Sequence, residues 1–512
     1  MQQLIKKLFL WYSLHINIII RYTCCAVLAV LFIERLCIIF SYEPHLAGID
    51  NNFDYPVIRS LAGYSIYPNP AAYPYAVNPY APLFFIFCKW VALAFHVSAN
   101  DTIAVYRVTR SVALLADSGT CILLFCILRR FAKARKAVSL VALTGFFSIL
   151  CYLGYTFNRS DAPFLLFYTA SLFVLLSPSS ASRIIRPLTL AVLATLCIFS
   201  KQNGISLLLL VPIWLLQEKS YRALFYFILF SSICFAGMFL YFQNFYTDHF
   251  FSEHIINSLK NKIDPRWFYV YVFKLMAGSY LAIPLAVSLV IAVKSIADSN
   301  SPGLLKKLGV FFALQFLLST ALSLKWGSSQ GYYNESFLAG FILITTYYSS
   351  ASSSGWPALL KTAGVYLYPA MLLFILHITA QLYFFFINSR DEAKEKFAEQ
   401  VQISNYIKKE LPSQNSYVID LSNADFNFFK NLLYKECAAP NIDAVNCCTM
   451  PDKIFNYSEL LLGLRTGKIL FLIETKGSSQ ESLWGVDIQH YKIDSSFTSY
   501  TVYRYSPVPL NR

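Results

Sequence analysis

The chain has 512 residues, of which 56% are hydrophobic and only 14% are charged. Soluble proteins carry about 25% charged residues, so the composition excludes a soluble globular protein and indicates a membrane protein with many apolar segments. The formal net charge of +14 does not indicate nucleic-acid binding. Most lysines and arginines fall in short loops between apolar segments, as the positive-inside rule expects.

The apolar segments predict a mostly α, polytopic fold with about eleven transmembrane helices. The first helix, near residues 22–41, follows a basic N-terminus without a clear cleavage site, and we expect it to be retained. A first outer loop, residues 42–101, comes next. Its short apolar segment 81–97 is predicted to be a helix on the membrane surface, because a span there would place the basic cluster after residue 128 on the wrong side.

The other predicted spans are residues 102–128, 137–154, 163–177, 188–200, 204–217, 224–244, 269–293, 308–324, 335–350 and 362–387. This odd number of spans places the C-terminal residues outside the cytoplasm. We therefore expect two domains: a transmembrane domain of residues 1–387 and a small extracytoplasmic α/β domain of residues 388–512.

The pattern of the C-terminal residues predicts a helix at Asp391–Glu399, an amphipathic helix at Phe426–Tyr434 and strands at Ser416–Leu421 and Lys468–Ile473. Residues 492–505 are predicted to hold one or two more strands.

Three cysteines lie in this C-terminal region. A disulfide from Cys437 to Cys447 or Cys448 is consistent with an extracytoplasmic location, and the sequence leaves the pairing open.

Four short polar clusters interrupt the apolar segments, and the predicted topology places all of them on one face of the membrane. They are Gly48–Asp54, Asn158–Asp161, Lys201–Gly204 and Gly331–Glu335. Ionisable groups gathered at one membrane interface indicate chemistry there. In the first cluster, Asp50 and Asp54 are candidate general bases toward an acceptor hydroxyl. The alternative is that the polar residues around Asp50 cap a turn.

The next two clusters each contribute a cation. Arg159 offers the planar fork that binds phosphate, although it could instead pair with Asp161 at a helix entrance. Lys201 interrupts an apolar hairpin, where a phosphate is its expected partner, although its side chain could simply extend to the interface. The predicted location of all four clusters on the same side of the membrane is a stronger indication of function than any single cluster.

Several common catalytic motifs are missing from the sequence. It contains no P-loop, and no Asp-x-Asp triplet of the kind by which many soluble glycosyltransferases hold a metal and a nucleotide sugar. An outward-facing enzyme has no supply of nucleotide sugars, so a lipid-linked phosphosugar is the natural alternative. No cofactor is predicted. A divalent metal is left open, with His249 and Glu253 able to share a helical face.

The series of motifs resembles a known family. The motifs are Tyr80–Leu83, Arg159–Asp161, Lys201–Gly204 and Tyr333–Glu335, after an acid in the first outer loop. Together they resemble the bacterial membrane glycosyltransferases of the dolichyl-phosphate-mannose-protein mannosyltransferase type (glycosyltransferase family 39-like). Relatives include the aminoarabinose transferases and the rhizobial lipopolysaccharide-core transferases. The match covers roughly residues 20–350 and departs from the commoner Pro-Pro-Leu and Arg-Pro-Asp forms at Ala81 and Ser160.

The resemblance implies the C-type membrane glycosyltransferase fold, with surface helices after the first span. It also implies a polyprenyl-phosphate sugar donor and, usually, inversion at the anomeric carbon. Asp54 would then be the base, with Asp50 as its substitute, while Arg159 and Lys201 would bind the donor phosphate. The residues that would shape the pocket are Asp161, Gln202, Tyr333, Asn334 and Glu335.

The resulting expectation is a multi-pass enzyme of the cell (inner) membrane, with its site and C-terminal domain on the extracytoplasmic side. Its expected partners are the lipid donor, a glycan, lipid or protein acceptor, and membrane lipids, but no nucleic acid. A transporter or flippase for a lipid-linked sugar is the main alternative. It would need polar groups on both approaches, of which Glu34 and Arg35 in the first span are an example. A non-catalytic envelope assembly protein is the third.

Overall fold

The computed structural model describes residues 2–42, 50–154, 156–177, 184–246, 249–260, 263–279, 281–351, 391–411, 416–421, 428–438, 456, 458–477 and 490–507. Most of these residues form helices, and a single four-stranded sheet lies near the C-terminus of the described chain. The predicted fold class, a mostly helical polytopic protein followed by a small α/β unit, is confirmed.

The helices of the first half are α1 (Gln2–Ile39), α2 (Asp50–Leu61), α3 (Leu83–Ala94), α4 (Thr102–Arg130), α5 (Lys136–Leu153), α6 (Asp161–Leu176), α7 (Ile185–Ser200), α8 (Ser206–Gln217) and α9 (Tyr221–Tyr241). Those that follow are α10 (Phe251–Leu259), α11 (Pro265–Ala277), α12 (Ala282–Ala297), α13 (Gly303–Ser323) and α14 (Asn334–Ala351). Short 3-10 turns at Gln202–Ile205 and Gln330–Tyr333 lead into α8 and α14.

Five helices of the described chain are long and apolar enough to cross a membrane. They are Asn17–Ile39 within α1, α4, α5, Tyr221–Asn244 and α13. The bent pair α11 and α12 is a further candidate, and α3, α6, α7 and α8 are shorter apolar helices. The predicted span 362–387 lies outside the described residues, so the number eleven stays a prediction.

The predicted span 269–293 is not one straight helix, because α11 and α12 meet at a 90° bend. The Ser279 side chain sits at the break. Its hydroxyl donates to the carbonyl of Met276 at 3.0 Å and accepts from the backbone N–H of Leu281 at 3.4 Å. Such local side-chain bonds offer the backbone an alternative to the helical ladder.

Helix α3 has the dimensions expected of a surface helix. Its 12 residues span about 18 Å, well short of the roughly 30 Å hydrocarbon core. One face buries Phe84 and Phe85, whereas Trp90 and Phe95 are 62% and 75% exposed. Exposed aromatic residues at the end of such a helix suit the membrane interface.

The C-terminal sheet has strands β1 (Tyr417–Asp420), β2 (Ile469–Thr475), β3 (Tyr491–Ser496) and β4 (Tyr500–Tyr505), in the order β1-β2-β4-β3. The β1–β2 pair is parallel and the other two pairs are antiparallel. Three helices pack around it: α15 (residues 391–410), α16 (Phe429–Leu432) and α17 (Ser458–Thr466). The strands lie where the sequence predicts them, but α16 is a single turn, shorter than the predicted helix Phe426–Tyr434.

The two faces of the sheet pack against different partners because side chains alternate along each strand. On one face, Val418 packs with Ile403 and Ile407 of α15. On the other, residues such as Ile419 pack with Tyr75 and Val77 of the loop before α3. The first loop therefore supplies part of the core of the C-terminal sheet.

The Cys437 thiol is buried and forms no disulfide with a cysteine of the described chain. Its predicted partners, Cys447 and Cys448, lie outside the described residues, so the pairing stays a prediction.

Candidate functional site

Asp54 lies in α2 with its side chain fully buried. Thr109 of α4 donates a hydrogen bond from its hydroxyl to Oδ1 at 2.6 Å. The side-chain amide of Asn158 donates to Oδ2 at 2.8 Å. The two donors hold both carboxylate oxygens in a fixed orientation. Asp50 is the first residue of the same helix, about one turn before Asp54.

Asp161 joins the two cations predicted to bind phosphate. It is the first residue of α6, and its Oδ1 accepts from Lys201 Nζ at 2.6 Å, while its Oδ2 lies 3.7 Å from Arg159 Nε. All three side chains are at most 13% exposed. Arg159 also lies over the ring of Phe53, 5.4 Å from its centre. The structure therefore brings Arg159 and Lys201 to opposite oxygens of one carboxylate.

The residues after Lys201 form a 3-10 turn that folds back onto the end of α7. A Cβ added to Gly204 would lie 2.5 Å from backbone atoms of Cys197 and Ile198. The close approach of the two backbones therefore requires glycine there. The side-chain amide of Gln202 donates to the carbonyl of Pro79 at 2.5 Å. This turn links Lys201 to the loop that precedes α3.

The last predicted cluster borders the same lysine. Lys201 Nζ lies 5.0 Å from the centre of the Tyr332 ring, and it interacts electrostatically with the buried Glu335. Asn334 is also buried. Both of its side-chain amide atoms, and Oε2 of Glu335, have no hydrogen-bond partner among the residues that the structure describes. Buried polar atoms are normally satisfied, so this group fits contact with a polar ligand.

Tyr333 points elsewhere, although it was predicted to shape the pocket. Its hydroxyl donates to Thr320 Oγ1 at 3.0 Å and lies 3.5 Å from the hydroxyl of Ser323. These contacts direct the ring toward α13. Among the predicted pocket residues, Asp161 and Glu335 interact with Lys201.

Sequence reasoning missed the group that anchors the turn before Asn158. Arg35 of α1 donates to Asp117 Oδ2 at 2.8 Å and to the carbonyl of Thr156 at 3.3 Å. Its guanidinium lies 4.3 Å from the centre of the Phe157 ring. A charged residue in the first span indicates such a group in the sequence, but its partner Asp117 is 82 residues away.

The predicted metal option has no support in the described region. His249 precedes α10 and Glu253 lies in its first turn, so the two side chains do not share a helical face. No group of three or more His, Cys, Asp or Glu side chains in that part of the chain is placed to hold a metal ion.

Comparison with known proteins finds similarity in structure alone. No protein-family model matches the chain, and no curated protein matches its sequence significantly. Among solved structures, ArnT from Cupriavidus metallidurans bound to undecaprenyl phosphate is 13% identical with a TM-score of 0.58, covering 94% of this chain and 97% of its own.

A second similar structure is the archaeal oligosaccharyltransferase AglB from Archaeoglobus fulgidus, in complex with an inhibitory peptide and a dolichol-phosphate. It is 11% identical with a TM-score of 0.50, and the alignment covers 98% of this chain and 76% of that one. At such low identity the similarity establishes the fold. The chain has the C-type membrane glycosyltransferase fold and is a multi-pass membrane protein.

Proposed function

We propose that this protein transfers a sugar from a polyprenyl-phosphate donor to an acceptor hydroxyl on the extracytoplasmic side of the cell (inner) membrane. The observation that carries the proposal is the meeting of Asp54, Arg159, Asp161 and Lys201, drawn from three distant segments, on a fold shared with two enzymes solved with polyprenyl phosphates. The acceptor is an envelope glycan, a lipid or a protein.

In the proposed reaction, the donor phosphate binds to Arg159 and Lys201. Both cations are already oriented by Asp161, so little reorganisation is needed when the phosphate gains charge. The acceptor oxygen attacks the anomeric carbon, the bond from that carbon to the phosphate oxygen breaks, and the polyprenyl phosphate leaves with the bonding electrons. A single displacement of this kind inverts the anomeric carbon.

Asp54 accepts the acceptor proton, and Asp50 is its substitute. The hydrogen bonds from Thr109 and Asn158 fit this role, because they hold the carboxylate in a fixed position, as a general base requires. Asn334 and Glu335 offer polar atoms to the sugar, and Gln202 fixes the turn beside it. Tyr333 supports the pocket through its contacts with α13.

One of the two charges that favour the transporter alternative, Arg35, has a structural partner. Arg35 pairs with Asp117 inside the helix bundle and holds the turn that precedes Asn158, so this charge has a structural role. A buried ion pair of this kind does not need a transport pathway to explain it.

The decisive test is sugar transfer from a panel of polyprenyl-phosphate sugars in membranes that contain the full protein. We expect transfer by the unmodified protein and a loss of at least about 100-fold in Asp54→Asn, since a positioned general base contributes 10²–10⁴-fold. Asp298→Asn, the same change at an exposed position, is the matched control.

Equal transfer by both variants would assign the base to another carboxylate, with Asp50 tested next. Absence of transfer from every donor, with protein present at normal levels, would contradict the enzymatic function itself.

A further inference from the structure

A single turn from the C-terminal region lies against the helix that carries Asp54. This turn, α16, holds Lys430 and Asn431, whose side chains are 0% and 1% exposed. Lysine is almost never fully buried unless its charge has a specific role or partner. The Phe428 ring, immediately before the turn, packs 4.8 Å from the ring of Tyr106 of α4.

The two polar side chains bind the first turn of α2. Lys430 Nζ donates to Asn52 Oδ1 at 2.5 Å, and the Asn431 side-chain amide donates to Asn51 Oδ1 at 2.8 Å. These contacts join residues about 380 positions apart in sequence. Asp54 follows Asn52 by two residues, so the anchor and the carboxylate lie within one helical turn.

The contacts of α2 with α4 show why this anchor matters. Asn51 and Asp54 are three residues apart and share a helical face. Asn51 accepts a hydrogen bond from the Tyr106 hydroxyl, and Asp54 accepts one from the Thr109 hydroxyl, also three residues on. Two parallel contacts therefore set the rotation of α2 about its axis. Asn431 binds Asn51, the α2 residue of the first contact.

We propose that Lys430 and Asn431 are positioning residues for the Asp54 site, so that the C-terminal region holds the base in its productive orientation. The proposal rests on the proposed function and extends it to a part of the chain outside the membrane helices. Asn431 fixes the rotation of α2 through Asn51. Lys430 holds the adjacent residue of the same turn, Asn52.

The test measures transfer by the full protein in membranes for Lys430→Met, with Lys435→Met as control. Both changes remove one positive charge from the same segment, but Lys435 is exposed. We expect Lys430→Met to lower kcat about 10- to 100-fold with little change in donor KM, since misplacement of a reacting group by about 1 Å costs that much. Lys430→Arg keeps the charge and a donor for Asn52, and it should recover most of the activity.

A merely structural role would give a different result. Lys430→Met with the same kcat and donor KM as Lys435→Met would overturn the positioning role, provided that Asp54→Asn abolishes transfer in the same membranes. If Lys430→Met does not accumulate, Asn431→Ala removes only the bond to Asn51 and should still lower kcat, and unchanged kinetics would overturn the proposal. If the unmodified protein transfers no sugar at all, the proposed function fails first and the positioning role fails with it.

Discussion

His254 joins two parts of the loop before α3 through its two ring nitrogens. The backbone N–H of Asn78 donates to Nδ1 at 3.0 Å, so Nε2 carries the proton and donates to the carbonyl of Pro68 at 2.6 Å. The Tyr67 ring packs 5.4 Å away. Burial lowers the pKa of this histidine from 6.5 to about 4. The folded protein therefore requires the neutral ring, because a proton on Nδ1 would meet the Asn78 N–H.

This pKa predicts a loss of stability in acid. The unfolded chain binds a proton at His254 near pH 6.5 and the folded chain only near pH 4, so stability is full above about pH 6.5 and falls as the pH drops between these values. At pH 5 the loss is about 2 kcal/mol, since one pKa unit is worth about 1.4 kcal/mol. Thermal unfolding in detergent at pH 7.5 and pH 5 measures it.

His254→Asn should be less stable at pH 7.5 but should show a flatter dependence on pH. The control is His249→Asn, because His249 is exposed and has a positive φ of 66° that asparagine tolerates. The control should keep the slope of the unmodified protein. Parallel slopes for both variants would contradict the assignment to His254.

At the scale of single elements, the site depends on how helices begin and end. Asp161 starts α6, Lys201 follows the end of α7, and Glu335 lies in the first turn of α14. Helix ends can present such groups together because the chain changes direction there, whereas a helix interior fixes its side chains along one axis. The turn after α7 is tightly packed against the end of that helix at Gly204.

We expect Gly204→Ala to destabilise the protein by about 1–3 kcal/mol, the usual cost of overpacking. The new Cβ would press on the backbone of Cys197 and Ile198 and displace Lys201, so the donor KM should rise. Gly237→Ala is the control. Gly237 lies within α9 with open space around it, so alanine should be neutral or stabilising by up to about 1 kcal/mol. Equal unfolding midpoints for the two variants would contradict the packing argument.

Sequence reasoning predicted the helical class, the surface position of 81–97 and the strands of the C-terminal region, because hydropathy and side-chain periodicity act locally. Its placement of the four polar clusters on one face of the membrane stays a prediction. Sequence reasoning could not predict the bend after Ala277, where the Ser279 side chain bonds the backbone of neighbouring residues. Nor could it pair Arg35 with Asp117, or Lys430 with Asn52, since such partners are fixed only by the folded chain.

At the scale of the whole molecule, the first loop and the C-terminal sheet share one core. Tyr75 and Val77 are 3% and 1% exposed and pack with strand residues such as Tyr417. Tyr73 stacks on the same Tyr417 with ring centres 3.6 Å apart, and its hydroxyl donates to the Lys435 carbonyl. Because Asp54 lies on the same loop region, the sheet and the site are stabilised by common contacts.

This shared core predicts that a charge introduced on the loop side releases the C-terminal sheet. Val77→Asp buries an unpaired carboxylate among apolar side chains, a change that typically costs several kcal/mol. Limited proteolysis of the protein in membranes should then cleave the C-terminal region faster, and sugar transfer should fall with it. Ala72→Asp adds the same charge to the same loop at an exposed position and should leave both unchanged. Equal protease resistance in the two variants would mean that the sheet is held without the loop, and the coupling between the sheet and Asp54 would then depend on α16 alone.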